Sequence, residues 1–100
     1  MNTWTDREVS RRLALAIGWN KKNVMIDDVY GTQLAQCWCY TGECWREFDY
    51  MDWNVIGPIA ARYNMFPRNA GGWWNVGGYG AQSTRTAQKA IALAVICHEA

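Results

Sequence analysis

The sequence predicts an α+β fold: a small antiparallel sheet of two hairpins packed by three helices, in the manner of an αβα sandwich. Three observations carry this expectation. Capping residues and helical spacing mark the two ends of the chain, at Thr5-Asp6-Arg7-Glu8 and after Thr86. Aromatic residues and alternation flank short glycine-containing steps at 37–48 and 73–82. Between them, residues 53–63 keep helical spacing around a proline. At 100 residues the chain has the length of one domain and reads as a single domain over 1–100.

The first helix is expected over 6–17. Thr5 and Glu8 form a capping box, with Trp4 and Val9 placed as a hydrophobic staple. Val9, Leu13, Ala16 and Ile17 make one apolar stripe, Arg7, Ser10 and Arg11 take the other side, and Gly18 ends the helix. Val24-Met25-Ile26 reads as a short strand and Asp27-Asp28 as a turn. The clearer hairpin is Cys37-Trp38-Cys39-Tyr40, a Thr41-Gly42 step, then Glu43 to Phe48. A two-residue turn would set Tyr40 opposite Glu43, Cys39 opposite Cys44 and Trp38 opposite Trp45. Asp52 caps the next element, which either starts a helix at Pro58 after a single turn or runs as one helix kinked there; both end near Asn64. Residues 67–72 read as loop, and Trp73–Val76, Gly77-Gly78 and Tyr79–Gln82 as a second hairpin. The last helix, from Ala87 after the cap Thr86, has apolar residues around its axis and should be buried on most sides.

Composition excludes several classes. Ten Lys and Arg against nine Asp and Glu leave a net charge of +1, too small overall for a generic phosphate-backbone binder. Half the residues are hydrophobic, against intrinsic disorder. No apolar run approaches the roughly 18 residues of a membrane span, and the first residues lack the basic and apolar blocks of a signal peptide. The unusual feature is aromatic, with seven Trp and five Tyr.

Each chemistry-bearing group has a plainer competing explanation. Cys37, Cys39 and Cys44 with His98 make a candidate zinc set, since C-x-C on a strand sends both thiols to one face. Small-hydrophobe core packing is the main expectation, and a Cys39–Cys44 disulfide the third. His98 is the only histidine, and its neighbour Cys97 points about 100° away on the helix, poor geometry for a nucleophile and its base. Glu43 and Glu47 flank Trp45 and could pair as hydrolase carboxylates, though solvated hairpin positions explain them. The glycines of 71–80 lack the order of a phosphate-binding loop. Trp4, Trp53 and one of Trp73 and Trp74 are expected in the core. Trp38, Trp45, Trp73 and Trp74 are the candidate binding aromatics, because any of them left exposed marks a contact surface. Arg7, Arg11, Arg12, Lys21 and Lys22 form a basic quarter that suits an anionic partner or a solvated helix face.

Trp45, then Asp52-Trp53-Asn54-Val55-Ile56-Gly57-Pro58-Ile59 and Tyr63-Asn64-Met65, resembles the core of small bacteriophage proteins of the NinX-like, phage "ABA sandwich" group. The likeness extends to the opening helix through Trp19, to Gly72-Trp73-Trp74 and to the closing stretch Arg85–Ala92, leaving about 20–44 unmatched. Ala87, where that family often has proline, and the cysteine hairpin depart from it. The resemblance implies helices on both faces of a sheet, a phage or prophage origin, a bacterial cytoplasmic setting and no catalytic residues. The leading functional expectation is a non-enzymatic accessory protein that binds a host protein or other host macromolecule, such as a component of host defence, with no resident cofactor. A nucleotide or single-stranded nucleic-acid binder using aromatic stacking is the first alternative, and a zinc-stabilised module or hydrolase the second.

Overall fold

A computed structural model describes residues 4–27, 36–76 and 84–99. Within them lie three α-helices and two small antiparallel sheets, an α+β chain as expected. The chain divides into two compact units, Met1–Asp49 and Tyr50–Ala100.

In the first unit α1 runs Asp6–Ala16, with the Glu8 N–H donating to Thr5 Oγ1 at 3.3 Å. The Glu8 carboxylate turns forward to Arg11 (3.1 Å) and Arg12 (2.9 Å) instead of back to the cap. The Trp19 N–H reaches the Ala14 carbonyl across Gly18, whose φ of 113° is open only to glycine at low cost. The buried face comprises Val9, Ser10, Leu13 and Ala14. Ser10, expected on the polar side, is therefore buried, because the contact stripe is rotated by about one residue toward it. A 3₁₀ turn, Lys21–Asn23 capped by Asn20, leads into β1, Val24–Asp27. Asp27 thus belongs to a strand rather than a turn, and Asp28 lies outside the described residues.

Strands β1, β2 (Gln36–Tyr40) and β3 (Trp45–Glu47) pair antiparallel in that order, and α1 packs against β1 and β2. The β2–β3 register differs from the expected one by two residues: Tyr40 faces Trp45, Cys39 faces Arg46 and Trp38 faces Glu47. The reason is local. The Thr41 N–H donates to the Cys44 carbonyl at 2.9 Å, its hydroxyl donates to the same oxygen at 3.1 Å, and the Cys44 N–H returns to that hydroxyl at 3.4 Å. These bonds close a four-residue loop, Thr41–Cys44, with Gly42 at φ 97°. A tight two-residue turn would forgo them.

In the second unit α2 spans Trp53–Tyr63 as one helix, with the Asn54 N–H donating to Asp52 Oδ1 at 2.9 Å. Pro58 sits inside it. Gly57 lacks the Cβ that would crowd the proline ring, and the carbonyl Pro58 leaves undonated belongs to exposed Asn54. Asn64 closes the helix at φ 56°, and the Met65 N–H reaches the Ala60 carbonyl at 2.9 Å. Strands β4 (Arg68–Ala70) and β5 (Trp73–Asn75) form a hairpin about Gly71-Gly72, whose φ values of 63° and 86° fit a type I′ turn. The segment read as loop is therefore half of the hairpin. Arg68-Asn69-Ala70 carries no β-branched or aromatic residue to announce a strand. The expected turn at Gly77-Gly78 and partner Tyr79–Gln82 lie outside the described residues.

Thr84 bridges back to Trp74 with hydrogen bonds of 2.7 and 2.8 Å, giving β5 a partner on its other edge. Helix α3, Ala87–Glu99, begins with the Lys89 N–H on Thr86 Oγ1 at 3.2 Å, and Gln88 Nε2 donates to the Met51 carbonyl at 3.2 Å. It packs against α2 and β5, and none of its residues before Cys97 is exposed, in line with the all-round apolar pattern.

Candidate binding surfaces

Alternation divides the three-stranded sheet into two faces. Val24, Ile26, Cys37 and Cys39 share the face toward α1, which Phe48 joins through its N–H on the Cys37 carbonyl at 2.7 Å. Cys37, Cys39 and Phe48 are buried there. Cys37 donates a hydrogen bond to the Cys39 sulfur; that bond and burial push the Cys37 thiol far above its ordinary value, while Cys39 is lowered by accepting it. The two thiols pack side by side beneath α1, the small-hydrophobe role expected of them.

Within the first unit the three cysteines of the zinc set are not gathered, and His98 belongs to the second unit. Cys44 lies exposed in the Thr41–Cys44 loop, Cys37 and Cys39 are buried, and His98 is exposed at the end of α3 beside Glu99 and the Tyr63 ring. Among the described residues no group of three or more His, Cys, Asp or Glu is placed to hold a metal ion. The Cys39–Cys44 disulfide fails on register, since Cys39 faces Arg46 and all four cysteines are free. Glu43 and Glu47 do not pair across Trp45 either, because Glu43 belongs to the loop and only Glu47 to the strand.

The opposite face carries Met25, Trp38, Tyr40, Trp45 and Glu47. Tyr40 and Trp45 are cross-strand partners with ring centroids 5.3 Å apart at 54°, and the Tyr40 hydroxyl donates to the Gly42 carbonyl at 3.2 Å. Trp45 and Met25 are each 39% exposed. Trp38 is half-buried, with its indole nitrogen buried and no acceptor for it among the described residues. Glu47, exposed beside Trp38 and Trp45, gives this surface a carboxylate edge.

The basic quarter is only partly available. Glu8 engages both Arg11 and Arg12, and the Arg12 guanidinium also lies 4.1 Å from the Trp4 ring centre. Arg7 is half-buried, whereas Lys21 and Lys22 are exposed on the 3₁₀ turn.

A second aromatic surface lies on β4–β5. Trp74, expected with Trp73 as a pair split between faces, points with Thr84 to the more buried side, Trp74 half-buried and Thr84 buried. Trp73 takes the other side and is 45% exposed. Continuing the Trp74–Thr84 bridge by one residue sets Arg85 opposite Trp73, and its guanidinium lies 5.4 Å from that ring centre. Ala70, Arg68 and Asn75 share this face by register. Trp53, expected in the core, is 53% exposed: at the first helical position its side chain leans back off the end of α2. Phe66, just past the Asn64 cap, is 64% exposed.

Neither Arg68 nor Arg85 was marked by the sequence reading, yet a signal existed. From Trp53 to His98 the sequence has no Asp or Glu, while Arg62, Arg68, Arg85 and Lys89 fall within it. The near-neutral total thus conceals an uneven division, since Met1–Asp49 holds seven acids against six bases and Tyr50–Ala100 two against four. Met25 was missed because only pairing with β2 assigns it to the Trp45 face; Tyr40 shares that face by alternation with Trp38, but only the observed register makes it the partner of Trp45. Compared with protein-family models, with curated proteins and with solved structures, the chain matches none.

Proposed function

We propose that this chain is a non-enzymatic binding protein that docks a protein partner through the Trp45 face of its three-stranded sheet. One arrangement supports the reading above others. Trp45 is held open to solvent while Tyr40 braces it from the neighbouring strand, and Met25 extends the same face. A rigid, preorganised indole loses little conformational freedom on docking, which is why Trp dominates interface hot spots. The exposed carboxylates of Glu47 and Glu43 at its edge fit a partner offering an apolar pocket with a basic rim.

The resemblance of the Asp52–Ile59 segment to small phage proteins supports a phage or prophage accessory role, with a bacterial host protein as the partner and the host cytoplasm as the setting. Two of the acidic residues serve structure, Glu8 binding two arginines and Asp52 capping α2. That use favours binding over catalysis.

The test is capture from bacterial lysate by the immobilised chain, followed by direct titration of the recovered partner. Trp45→Ala should weaken that partner's binding by at least about 2 kcal/mol, the scale of a hot-spot residue, while Trp53→Ala leaves it unchanged. Equal binding by both variants, or no reproducible partner, would count against the proposal.

A further inference from the structure

We infer that the β4–β5 hairpin is a second binding site, for single-stranded nucleic acid, in which a base stacks on Trp73 and phosphates meet Arg85 and Arg68. The site goes beyond the Trp45 surface, shares no residue with it and stands on separate observations.

The first is preorganisation. Trp73 is fixed by pairing with Ala70 across the Gly71-Gly72 turn. Arg85 is pinned on both sides: Thr84 is hydrogen-bonded twice to Trp74 and donates its hydroxyl to the Thr86 carbonyl at 2.6 Å, and Thr86 caps α3. The ring and the guanidinium therefore meet by register at 5.4 Å, within cation–π range, while Trp73 keeps 45% of its surface open. Base–aromatic stacking needs such an open ring, and every base supplies a π face for it.

The second observation is charge. Arg68 and Arg85 are both exposed, and Asn75 beside Arg68 adds amide hydrogen-bonding capacity. The unbroken stretch from Trp53 to His98 without a carboxylate removes the repulsion a phosphate backbone would otherwise meet from this part of the sequence. An acidic peptide would satisfy the arginines, but its carboxylate side chains have no flat face to lay on the open indole, whereas every nucleotide brings a base together with its phosphate. Duplex DNA hides its base faces from it. A single strand uses both.

The experiment is a fluorescence-anisotropy titration of labelled oligothymidylate with the full chain, over a salt series. Binding should weaken as salt rises, and duplex DNA or polyglutamate should compete poorly. Trp73→Ala should lose about ten- to a hundredfold in affinity, with Trp73→Phe restoring most of it. Arg85→Gln and Arg68→Gln should each reduce the log–log salt slope by about one. If Trp73→Ala does not fold, those two slopes and Trp73→Phe decide the matter. Trp45→Ala should bind the oligonucleotide normally, which separates failure here from failure of the protein-docking surface. Absence of binding, unchanged slopes, equal competition by duplex or polyglutamate, or a loss that follows Trp45 would each overturn the inference.

Discussion

The type I′ turn at Gly71-Gly72 sets which side of β5 carries Trp73, so its energetics are a direct check on the second unit. Gly72 sits at φ 86°, and a Cβ built there meets nothing within 4 Å. Any cost of Gly72→Ala is therefore conformational. A left-handed L residue costs roughly 1–2 kcal/mol, and the lower entropy of the unfolded chain returns about 0.4–1 kcal/mol of that. The net is a destabilisation of about 1 kcal/mol, which lowers the melting temperature by about 4–8 °C in a chain of this size. Gly71, at φ 63° and equally unobstructed, occupies the position where type I′ turns take Asn. Gly71→Asn should therefore melt at or slightly above the parent. Near-ultraviolet circular dichroism melts of the three proteins read this out through the tryptophans. A Gly72→Ala protein as stable as the parent, or a Gly71→Asn protein as damaged as Gly72→Ala, would mean the chain does not turn there as described.

Five further outcomes are expected. Leu13→Ala removes a side chain with no exposed surface from the α1–sheet contact and should cost about 2–5 kcal/mol in urea unfolding. Thr86→Ala deletes the acceptor for the Lys89 N–H and should cost about 1 kcal/mol in the same assay. A thiol reagent should titrate the exposed Cys44 and Cys97 quickly and reach Cys37 and Cys39 only on unfolding. The folded chain also holds the Cys37 proton that the unfolded chain loses near about pH 8.5, so this contribution is intact below that pH and lost as pH rises above it. Cys39 is lowered by accepting the same bond, but that bond acts oppositely on the two thiols whereas burial opposes ionisation of both, so the net sign follows burial. The urea midpoint should therefore fall between about pH 8 and about pH 10, less so in Cys37→Ala. Finally, with Cys44 in a loop and His98 exposed beside Tyr63, a chelator should leave the melting curve unchanged.

What the sequence made legible were features written in adjacent residues. Thr5, Asp52 and Thr86 all cap helices, and Gly18 and Asn64 end two of them, because capping is decided within one turn of the chain. The α+β class followed from the same local signals. Hairpin register was less legible, since Thr41-Gly42 reads as a two-residue turn until the Thr41 hydroxyl is seen to span to Cys44. That shift of two residues kept each side chain on its own face but changed every partner, and with them the zinc and disulfide expectations. The first strand of the second hairpin was invisible because Arg68-Asn69-Ala70 has no strand-forming residue and pairs by virtue of the glycines after it. Of the candidate aromatics, Trp45 and Trp73 emerge exposed while Trp38 and Trp74 are half-buried, a distinction that alternation alone could not make.

The charge argument is where sequence and structure separate most usefully. A net charge of +1 weighs against phosphate binding only if the charges act together on a partner. Surface charges more than about 8–10 Å apart are screened from one another at physiological salt, so the relevant sum is over one surface. In the first unit Glu8 draws in Arg11 and Arg12 at about 3 Å, leaving little free positive field near them. On the β4–β5 hairpin Arg85 lies against the Trp73 ring, an arrangement that positions the guanidinium without cancelling its charge. The second unit has fewer basic residues, four against six, yet it carries the net positive charge and is the better placed for an anion, because Arg62 and Arg85 stand beside aromatic rings instead of carboxylates. A salt series read separately on Arg11→Gln and Arg85→Gln isolates this point: only the second should flatten the slope, and a larger effect from the first would show that the pairing with Glu8 does not hold in solution.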